Sequence, residues 1–423
     1  METLPALPEW VSLEHEVAQI LTNQEIHGWT FDQDAAWVFA SALREELRTL
    51  EETLRGRHPY VAGAIFTPRR NNRRQGYEAG ASFTRLKELN PTSRDNIAWI
   101  LTTYYGWTPK QVTATGKPVV DEVILTEIGS EISMMFARCL TVTKMLGMLS
   151  NGANGWLKLV TNEGRIHHHC SVATSTHRCA HRSPNLGQVP SDPRFRRLFV
   201  PSPGLRMVGA DLSGIELRML SHYLARYDGG RYAKLLLEDD IHQVNADKIG
   251  ITRKQVKTVT YAFLYGAGDE KIGHSYDPQL STTHAKRKGK EIRAAYVSAV
   301  DGLGDLLAAV GKAADKGFIK SIDGRKIALD SPHKGLNYLL QSGAGVIAKR
   351  WMQINQETIK STQLCCSQLA FVHDELQFEC APEHVNDLRT SLVFSATAAG
   401  EYYNMRVRID AEACEGDSWA DTH

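Results

Sequence analysis

Two acid-bearing segments, far apart in the chain, constrain the fold more than any other feature. Leu205-Arg-Met-Val-Gly-Ala-Asp211 is a short apolar stretch, typical of a buried strand, that ends in a carboxylate. Residues 369–380 alternate like a β-hairpin, and Asp374 lies at its expected turn. Because side chains at the ends of neighbouring strands can meet across a sheet, we expect Asp211 and Asp374 to lie close together. The long stretch between them must then form an insertion.

The size and composition of the chain narrow its class. At 423 residues it is long enough for two or three domains with their own cores. Its 42% hydrophobic and 23% charged residues are typical of a soluble globular protein. We find no apolar run approaching the ~18 residues of a membrane span, and no secretory signal at the N-terminus. Seven scattered cysteines do not fit a disulfide framework, which favours a reduced, cytoplasmic protein without a membrane.

The periodicity of apolar residues divides the chain into helical and strand-rich parts. Residues 12–57 and the stretch from Ser93, a predicted N-cap, to about 150 have helical periodicity. Residues 58–95 are rich in Gly, Pro, Asn and Arg, which predicts a long basic loop. Beyond residue 160 the pattern changes to that of strands and tight turns, interrupted by stretches with helical periodicity over 231–320 and 335–360. This arrangement predicts an α+β fold.

The aspartates have the chemistry of a magnesium site. Mg²⁺ takes oxygen ligands and is held by one or two carboxylates together with substrate phosphates. Two such ions can stabilise the attacking and leaving oxygens of a displacement at phosphorus. Taken alone, Asp211 could equally be a helix N-cap and Asp374 an ordinary turn residue. Their interpretation as metal ligands depends on the presence of a phosphate-binding element elsewhere in the chain.

A basic helix between the two acids supplies that element. Arg253, Lys257, Tyr261 and Tyr265 recur every four residues and so share one helix face. Arginine and lysine bind phosphate, and the aromatic residues suit a base and sugar. The alternative is an amphipathic surface helix. It accounts less well for the pattern, because other residues already supply the apolar face: Val256, Val259, Ala262 and Phe263.

These segments resemble motifs A, B and C of DNA polymerase family A, the DNA polymerase I superfamily. The matching segments are Asp211-Leu-Ser-Gly-Ile-Glu-Leu-Arg218, Arg253–Gly266 and Val372-His-Asp-Glu375. Their residues are most similar to those of the T-odd bacteriophage members of the family. Thr176-His-Arg178 and Pro184-Asn-Leu-Gly-Gln-Val-Pro190 are similar to a further family segment. The resemblance extends over residues 160–423, and more loosely over 10–160.

The resemblance implies a right-hand architecture with a helical thumb, an antiparallel-sheet palm and helical fingers inserted in the palm. The implied boundaries are 1–155 for the N-terminal segment and thumb, 156–230 and 325–423 for the palm, and 231–324 for the fingers. The implied activity is template-directed addition of dNTPs to a primer 3′-OH, with release of pyrophosphate. Two Mg²⁺ ions would serve as cofactors, with Mn²⁺ as a substitute.

The resemblance also implies roles for individual residues. The implied metal ligands are Asp211, Asp374 and the Leu212 carbonyl, and the implied catalytic residues are Asp211, Asp374, Glu375 and Lys257. The implied substrate-binding residues are Arg253, Lys257, Tyr261, His242, Glu216 and Tyr265. The implied DNA-binding residues are Arg178, Gln188, Gln341, His373 and Arg325. Glu216 would block a ribose 2′-OH, and Tyr261 in place of Phe implies ready use of dideoxynucleotides.

Two local features depart from familiar patterns. The family's glycine before the motif arginine is His177 here, which leaves the local backbone geometry open. The run His167-His168-His169-Cys170 resembles a metal cluster. Consecutive strand residues point to opposite faces and cannot easily converge on one ion, so we expect no zinc there.

The implied partners are primer-template DNA and dNTPs. Because the chain begins almost at the thumb, we expect no proofreading exonuclease in it, and single-strand degradation by the purified protein would contradict that expectation. A separate exonuclease chain and a phage helicase-primase are candidate partners, and thioredoxin is not expected. We expect a monomer in the cytoplasm of a phage-infected bacterium. The competing hypotheses are a two-metal nuclease and a non-catalytic DNA-binding accessory that retains the fold.

Overall fold

The computed structural model of the protein describes residues 7–172, 174–278 and 280–423. It divides into two compact units: the first contains Met1–Gln33 and Leu159–His423, and the second contains Asp34–Lys158. Each unit has its own hydrophobic core, as expected for a chain of this length.

The α-helices account for most of the regular structure. In chain order they are α1 (Glu9–His27), α2 (Gln33–Arg57), α3 (Arg94–Tyr105), α4 (Glu122–Ile128), α5 (Glu131–Leu146), α6 (Trp156–Leu159), α7 (Pro193–Arg196), α8 (Ile215–Asp228), α9 (Arg231–Glu238), α10 (Ile241–Ile249), α11 (Arg253–Leu264), α12 (Asp269–Tyr276), α13 (Thr282–Ala299), α14 (Leu303–Ala314), α15 (Gly335–Thr362) and α16 (Val385–Tyr402).

The strands form one larger sheet and several two-stranded ribbons. In chain order they are β1 (Trp29–Thr30), β2 (Tyr60–Phe66), β3 (Phe83–Glu88), β4 (Arg165–Ile166), β5 (His169–Ser171), β6 (Ala180–Arg182), β7 (Arg206–Leu212), β8 (Phe318–Lys320), β9 (Lys326–Ala328), β10 (Cys366–Val372), β11 (Glu375–Cys380) and β12 (Ala411–Gly416). The larger sheet has the order β10-β11-β7-β12, and all of its pairings are antiparallel.

The larger sheet confirms the predicted strand over 205–211 and the predicted hairpin over 369–380. Strand β7 lies between β11 and β12, and its residues 207–210 are all buried. Helix α15 is buried on almost every side, as its length and apolar content require, and it packs against α16, α1 and α8. The main core therefore lies around this sheet and α15.

Strand β11 is buried more completely than its alternating pattern indicates. Leu376 and Phe378 face one side, and Gln377 and Glu379 face the other, as predicted. All six residues of the strand are nevertheless buried. Segments distant in sequence cover the polar side: Thr422 bonds Gln377, and Ser202 bonds Glu379.

The predicted long basic loop over 58–95 is wrong in part. The second unit contains a hairpin there, in which β2 pairs with β3. Every β3 residue is exposed, and β2 buries only Val61 fully, so neither strand shows the two-residue burial pattern that would reveal it. Ser93 does cap α3, because its side chain accepts a hydrogen bond from the Asn96 backbone N–H.

One segment contradicts the expectation about apolar runs. Among the described residues, the segment Glu131–Leu159, which contains α5 and α6, has the length and apolar composition of a membrane span, and an 18-residue window within it has a mean hydropathy of 1.3. Helices α13 and α14 reach the length and apolar composition of a membrane span only when they are taken together, and the chain bends by 107° between them. Within Glu131–Leu159, Ile132, Phe136 and Leu140 belong to the core of the second unit. A core helix of a soluble protein passes this test in the same way, so the finding is weak support for a membrane span.

Candidate active site

The sheet brings the sequence-predicted acids together. Asp211 lies near the end of β7, where its register partners are Glu375 on β11 and Glu412 on β12. Asp374 lies in the two-residue turn between β10 and β11, and its carbonyl accepts a 3.0 Å hydrogen bond from the Leu212 N–H. Asp211 and Asp374 are therefore on directly adjacent chain segments, although most of the first unit separates them in sequence.

The turn that carries Asp374 contains a strained residue. His373 has a φ of 60°, in the left-handed region that non-glycine residues seldom adopt. Such a conformation costs on the order of 1–3 kcal/mol and persists where the surroundings determine it. Here the flanking residues Val372 and Glu375 are paired with each other in the ladder. The strained turn presents His373 and Asp374 at the edge of the sheet.

Withdrawal from water raises the pKa values of the three carboxylates, and for Asp211 and Asp374 repulsion by other acids adds to the shift. Although Asp211 is exposed at the surface, the protein around it withholds part of its water, and this desolvation, followed by repulsion from Asp374 and Glu375, raises the pKa of Asp211 to about 8. Burial and the Glu216 charge raise the pKa of Asp374 to about 6, while Arg178 opposes the shift. Burial also raises the pKa of Glu375. Mutual repulsion of this kind is relieved by a cation, so the cluster has the electrostatics of a metal site.

The donor atoms present fit a divalent cation. Among the described residues, one group of possible ligands comes together: the donor atoms of Asp211, Glu375 and His423 lie within 4.8 Å of one another. Carboxylate oxygens are the ligands that Mg²⁺ prefers, and Asp374 is adjacent to this group. Sequence reasoning did not identify His423, because no pattern links it to the acid motifs.

Residues that no sequence pattern connects with the acid motifs hold Glu375 in place. Its side chain accepts hydrogen bonds from Trp419 Nε1 and, at 2.7 Å, from Gln377 Nε2. His423 Nδ1 lies 2.8 Å from its other oxygen. Because it is only 4% exposed, these contacts fix the Glu375 carboxylate beside Asp211. Trp419 and His423 come from a segment more than forty residues away.

Helix α11 presents the predicted basic and aromatic face. A capping box of Thr252 and Gln255 begins the helix. The apolar side is buried as predicted, through Val256, Val259 and Phe263, which leaves Arg253 and Lys257 exposed. The helix ends at Leu264, and Gly266 follows with a left-handed φ of 73°, as C-terminal glycines often do.

Glu216 connects this helix to the acid cluster. It lies in the first turn of α8, directly after the turn that follows β7. Its Oε1 accepts a hydrogen bond from the Tyr265 hydroxyl at 2.9 Å and from Arg178 Nη2 at 3.0 Å. The Tyr261 ring stacks at 6.5 Å from Tyr265. These contacts place the aromatic end of α11 beside Glu216.

The basic end of α11 already has an anionic partner. Arg253 Nε donates to Asp240 Oδ2 at 2.6 Å. Asp240 also caps α10 by accepting from the backbone N–H groups of His242 and Gln243. The His242 ring is 6.2 Å from that of Tyr261, so it lies along the same face. An incoming anion at Arg253 must compete with Asp240, which sequence reasoning did not select.

Two predicted DNA-binding segments lie against each other at Arg178 and α15. His177 has a φ of 59°, in the left-handed region that glycine adopts readily. Its Nδ1 lies 2.7 Å from Ser342 Oγ. A Cβ on Gly345 would come within 3.2 Å of the His177 carbonyl oxygen, so α15 approaches this backbone closely. Gln341, partly exposed, is next to Ser342 on α15.

The turn that ends in Gln188 lies against His373. A Cβ on Gly187 would be 3.4 Å from His373 Nε2 and 3.1 Å from the His181 ring. Gln188 itself is exposed, and the His181 ring meets the His373 ring at 5.8 Å, edge to face. His373 and Gln188 are thus neighbours at the edge of the acid cluster.

Arg325 has a different environment from the other predicted DNA-binding residues. It is 6% exposed, and its guanidinium pairs with Glu14 and, at 2.5 Å, with Asp323. It also lies over the Trp10 ring at 5.3 Å. These partners use Nε and Nη1, whereas Nη2 has no hydrogen-bond partner among the described residues, so DNA binding by Arg325 stays a prediction.

The first and third histidines of the run contact one residue, Glu25, and the middle histidine contacts another, Gln24, which agrees with the alternation of side chains along a strand. His167 Nδ1 lies 2.7 Å from the Glu25 carbonyl oxygen, and His169 Nδ1 lies 2.8 Å from the Glu25 carboxylate. His168 is buried, with Nε2 at 3.1 Å from Gln24. The absence of zinc stays a prediction.

Comparisons with known proteins agree with this geometry. A family model described as DNA polymerase family A matches residues 69–421. The DNA-directed DNA polymerases of Escherichia phage T7 and Enterobacteria phage T3 are each 30% identical over 98% of this chain and 70% of their own length. The solved POL domain of Pol1 from M. smegmatis, in complex with DNA primer-template and dNTP, has a TM-score of 0.78 and 23% identity, covering 97% of this chain and 70% of that one. This likeness confirms the predicted α+β fold with its antiparallel sheet.

Proposed function

The chain belongs to DNA polymerase family A, and from this membership we propose that it extends a DNA primer along a DNA template, adding dNTPs to the primer 3′-OH with release of pyrophosphate. The observation that carries the proposal is the junction of the acid cluster with α11. Tyr265 on that helix bonds Glu216, and partial desolvation, followed by the Glu216 charge and then the Asp374 charge, raises the pKa of Tyr265. This contact supports a site in which carboxylates for metal lie beside the helix whose other end carries the cations for a triphosphate.

The carboxylates would hold two Mg²⁺ ions, for which Mn²⁺ could substitute. Asp211 and Asp374 are the proposed ligands, with the Leu212 carbonyl as a third. When bound, the metal supplies Lewis-acid chemistry that activates the primer hydroxyl and stabilises charge on the leaving pyrophosphate. Glu375 supports the arrangement, and the hydrogen bonds it accepts from Trp419 and Gln377 keep it oriented.

The face of α11 would bind the incoming nucleotide. Arg253 and Lys257, one helical turn apart, suit the triphosphate, with Arg253 released from Asp240 as the phosphate arrives. Lys257 would stabilise charge on the departing pyrophosphate. Tyr261, Tyr265 and His242 would surround the sugar and base.

Selection of deoxynucleotides is the proposed role of Glu216. Its carboxylate is held by two hydrogen bonds, from Arg178 and Tyr265. A side chain fixed in this way cannot move aside freely for a 2′-OH, so a ribonucleotide would meet it as a steric obstacle. Because Tyr261 stands where Phe would otherwise occur, we predict that the protein readily incorporates dideoxynucleotides.

The primer terminus and minor groove would contact the other polar residues at this edge of the sheet. Arg178, Gln188, Gln341 and His373 are the proposed contacts, and DNA binding by Arg325 stays a prediction. The proposed palm, 156–230 and 325–423, contains all four strands of the larger sheet, while the thumb and fingers boundaries stay predictions. The proposed setting is the cytoplasm of a phage-infected bacterium, with a monomer acting alone or beside an exonuclease chain and a helicase-primase.

Primer extension tests the function directly. The purified protein is expected to add a single nucleotide to a labelled primer only when the dNTP matches the template base and Mg²⁺ is present. Mn²⁺ should restore activity after chelation, and a ribonucleotide should be added far more slowly. A matched Asp374→Ala variant serves as the inactive control. Tight DNA binding without extension would favour the non-catalytic accessory, and shortening of the DNA by a metal-dependent reaction would favour the nuclease.

A separate prediction concerns the arginine hairpin, defined as residues 60–88 of the second unit. An aromatic group of Phe66, Tyr77 and Phe83, with ring centroids 5.3–5.6 Å apart, supports its tip. The tip carries four exposed arginines that form no ion pair among the described residues: Arg69, Arg70, Arg73 and Arg74. Unpaired guanidinium groups of this density suit the phosphates of duplex DNA.

Replacing all four tip arginines by alanine is expected to weaken duplex binding and to flatten its salt dependence. Each phosphate contact that is lost should reduce the slope of log K against log[salt] by about 0.9. Fluorescence anisotropy across a salt series measures the slope. A control variant with Lys286, Arg287 and Lys290 on α13 replaced by alanine should keep more of the slope, and an equal loss in both variants would contradict a specific role for the hairpin.

A further inference from the structure

Two cysteines face each other across the hairpin whose turn carries Asp374. Cys366 begins β10, Cys380 ends β11, and the two are register partners. The adjacent backbone hydrogen bond runs from Ala381 N to Cys365 O, at 2.9 Å. In an antiparallel ladder, a hydrogen bond from the residue after Cys380 to the residue before Cys366 shows that Cys366 and Cys380 do not bond each other through their backbones. The Cα atoms of such a non-hydrogen-bonded pair are about 4.5 Å apart. A disulfide requires about 4.4–6.8 Å between Cα atoms, so the pair has suitable spacing.

The two thiols also differ in access. Cys366 and Cys380 are both free thiols, and they stand opposite each other in the ladder. Cys380 is fully buried, whereas Cys366 is partly exposed and lines a cavity of about 320 Å³ between α1, α15 and β10. A small oxidant can therefore reach Cys366 first, and Cys380 is positioned to react with the product.

We propose that Cys366 and Cys380 form a reversible redox site whose oxidised state is a cross-strand disulfide, with a low-molecular-weight disulfide as the oxidant. The Cys366 thiolate attacks one sulfur of the small disulfide, which forms a mixed disulfide and releases one thiol. The Cys380 sulfur then attacks the Cys366 sulfur, which forms the protein S–S bond and releases a second thiol. The protein loses two hydrogens and two electrons, and the small disulfide gains them as two thiols.

A second pair of cysteines provides an internal comparison. Cys170 on β5 is the register partner of His181, and Cys179 lies two residues before His181. Cys170 and Cys179 are therefore diagonal neighbours, which are about 7–8 Å apart and beyond the spacing of a disulfide. Both are also buried, at 8% and 5% exposure. Neither the spacing of this pair nor its access to solvent favours a bridge.

The bridge would close the open end of the hairpin that presents Asp374. In a reducing compartment the dithiol is the resting state, and the disulfide forms when the thiol pool is oxidised. Closing this loop restricts the unfolded chain more than the folded one. The oxidised protein should consequently have a higher Tm than the reduced protein.

Mass spectrometry of the whole chain tests the site. The protein is incubated with oxidised glutathione, alkylated, digested and compared with a sample kept in dithiothreitol. We expect a cross-linked peptide pair that contains Cys366 and Cys380 and has lost two hydrogens, together with an upward shift in Tm that dithiothreitol reverses. C366S and C380S should each abolish the cross-link and the Tm shift, while C170S should retain both.

Three outcomes would overturn the proposal. Cys366 could carry glutathione while Cys380 stays free, which would show that the second step does not occur. The cross-link could join Cys170 to Cys179, or Cys365 to either candidate. Glutathione could also modify the exposed Cys365 fully while Cys366 and Cys380 stay reduced. Because the readout is the wild-type mass, a folding defect in one variant leaves the result decisive.

Discussion

Replacing Asp211 by Asn is expected to lower the rate of primer extension by at least ~10³-fold, because several kcal/mol of metal-dependent stabilisation would be lost. The change removes the charge that the cation requires and keeps the shape of the side chain. Single-turnover addition of one matched nucleotide, at saturating DNA and Mg²⁺, measures the effect on the chemical step. Activity close to that of wild type would end the assignment of Asp211 as a metal ligand.

A matched control is available on the neighbouring strand. Glu412 is the register partner of Asp211 on β12, is exposed, and lies outside the ligand group. Glu412→Gln removes the same charge from the same neighbourhood and should leave the rate close to that of wild type. An equal loss in both variants would indicate a general electrostatic effect.

Stability separates a loss of chemistry from a loss of fold. The pKa of Asp211 is raised in the folded state to about 8, so its ionised form opposes folding at neutral pH. Asp211→Asn relieves repulsion by Asp374 and Glu375, and we expect a Tm at or above that of wild type. If Asp211→Asn were inactive and had a lowered Tm, its loss of activity could come from a loss of fold. The role of the cluster would then be tested by Asp374→Ala, with Glu412→Gln as the control.

The second large effect is expected from Glu379, which joins the N-terminal helix to the sheet. Its carboxylate is 2% exposed and contacts His27 Nε2 at 2.6 Å and both the backbone N and Oγ of Ser202 at 2.8 Å. Arg165 Nη2 lies 3.3 Å away and also donates to the Gly28 carbonyl, while Arg165 Nε donates to the His27 carbonyl. The network therefore links α1, β4 and β11 through one buried acid.

Glu379→Gln is expected to lower the free energy of unfolding by about 3–5 kcal/mol, because it leaves the charge of Arg165 without its buried partner. Urea unfolding at neutral pH measures the change. Glu415→Gln, on the exposed side of β12, changes the same residue type and should fall within about 0.5 kcal/mol of wild type. A cost below about 1 kcal/mol for Glu379→Gln would show that water or Ser202 compensates for the lost charge.

The same residue predicts a dependence on pH. Burial raises the pKa of Glu379, but the hydrogen bonds from His27 and Ser202 outweigh it and lower the pKa to about 2. Because this pKa lies below the ordinary value of 4.5, the ionised group stabilises the fold fully above pH 4.5. Its contribution is lost as the pH falls from there toward 2. The difference in unfolding free energy between wild type and Glu379→Gln should shrink over that range, and a constant difference would contradict the assigned pKa.

The sequence could predict the local parts of the site. The apolar run before Asp211, the alternation around Asp374 and the four-residue recurrence from Arg253 to Tyr265 each depend on neighbours within one element. The structure has a strand, a hairpin and a helix at these places, and the apolar face of α11 is buried as its pattern predicts. Hydrophobic periodicity is sufficient there, because one face of each element must be removed from water.

The sequence could not predict which distant segments cover those elements. Nothing local indicates that Trp419 and His423 hold Glu375, or that Asp240 pairs with Arg253. Arg325 matched a DNA-contact pattern, yet Glu14 and Asp323 surround it. The strands at 60–66 and 83–88 were missed because their side chains stay largely exposed.

The amino-acid sequence by itself determined the chemistry of this protein: which acids, cations and aromatic residues are present, and on which faces of their own elements they lie. Tertiary structure alone decided their electrostatics. The pKa values of Asp211 and Glu379 move in opposite directions, although both are strand carboxylates. The physical reason is that a charge responds to whatever packs around it: further acids surround Asp211, and distant hydrogen-bond donors surround Glu379.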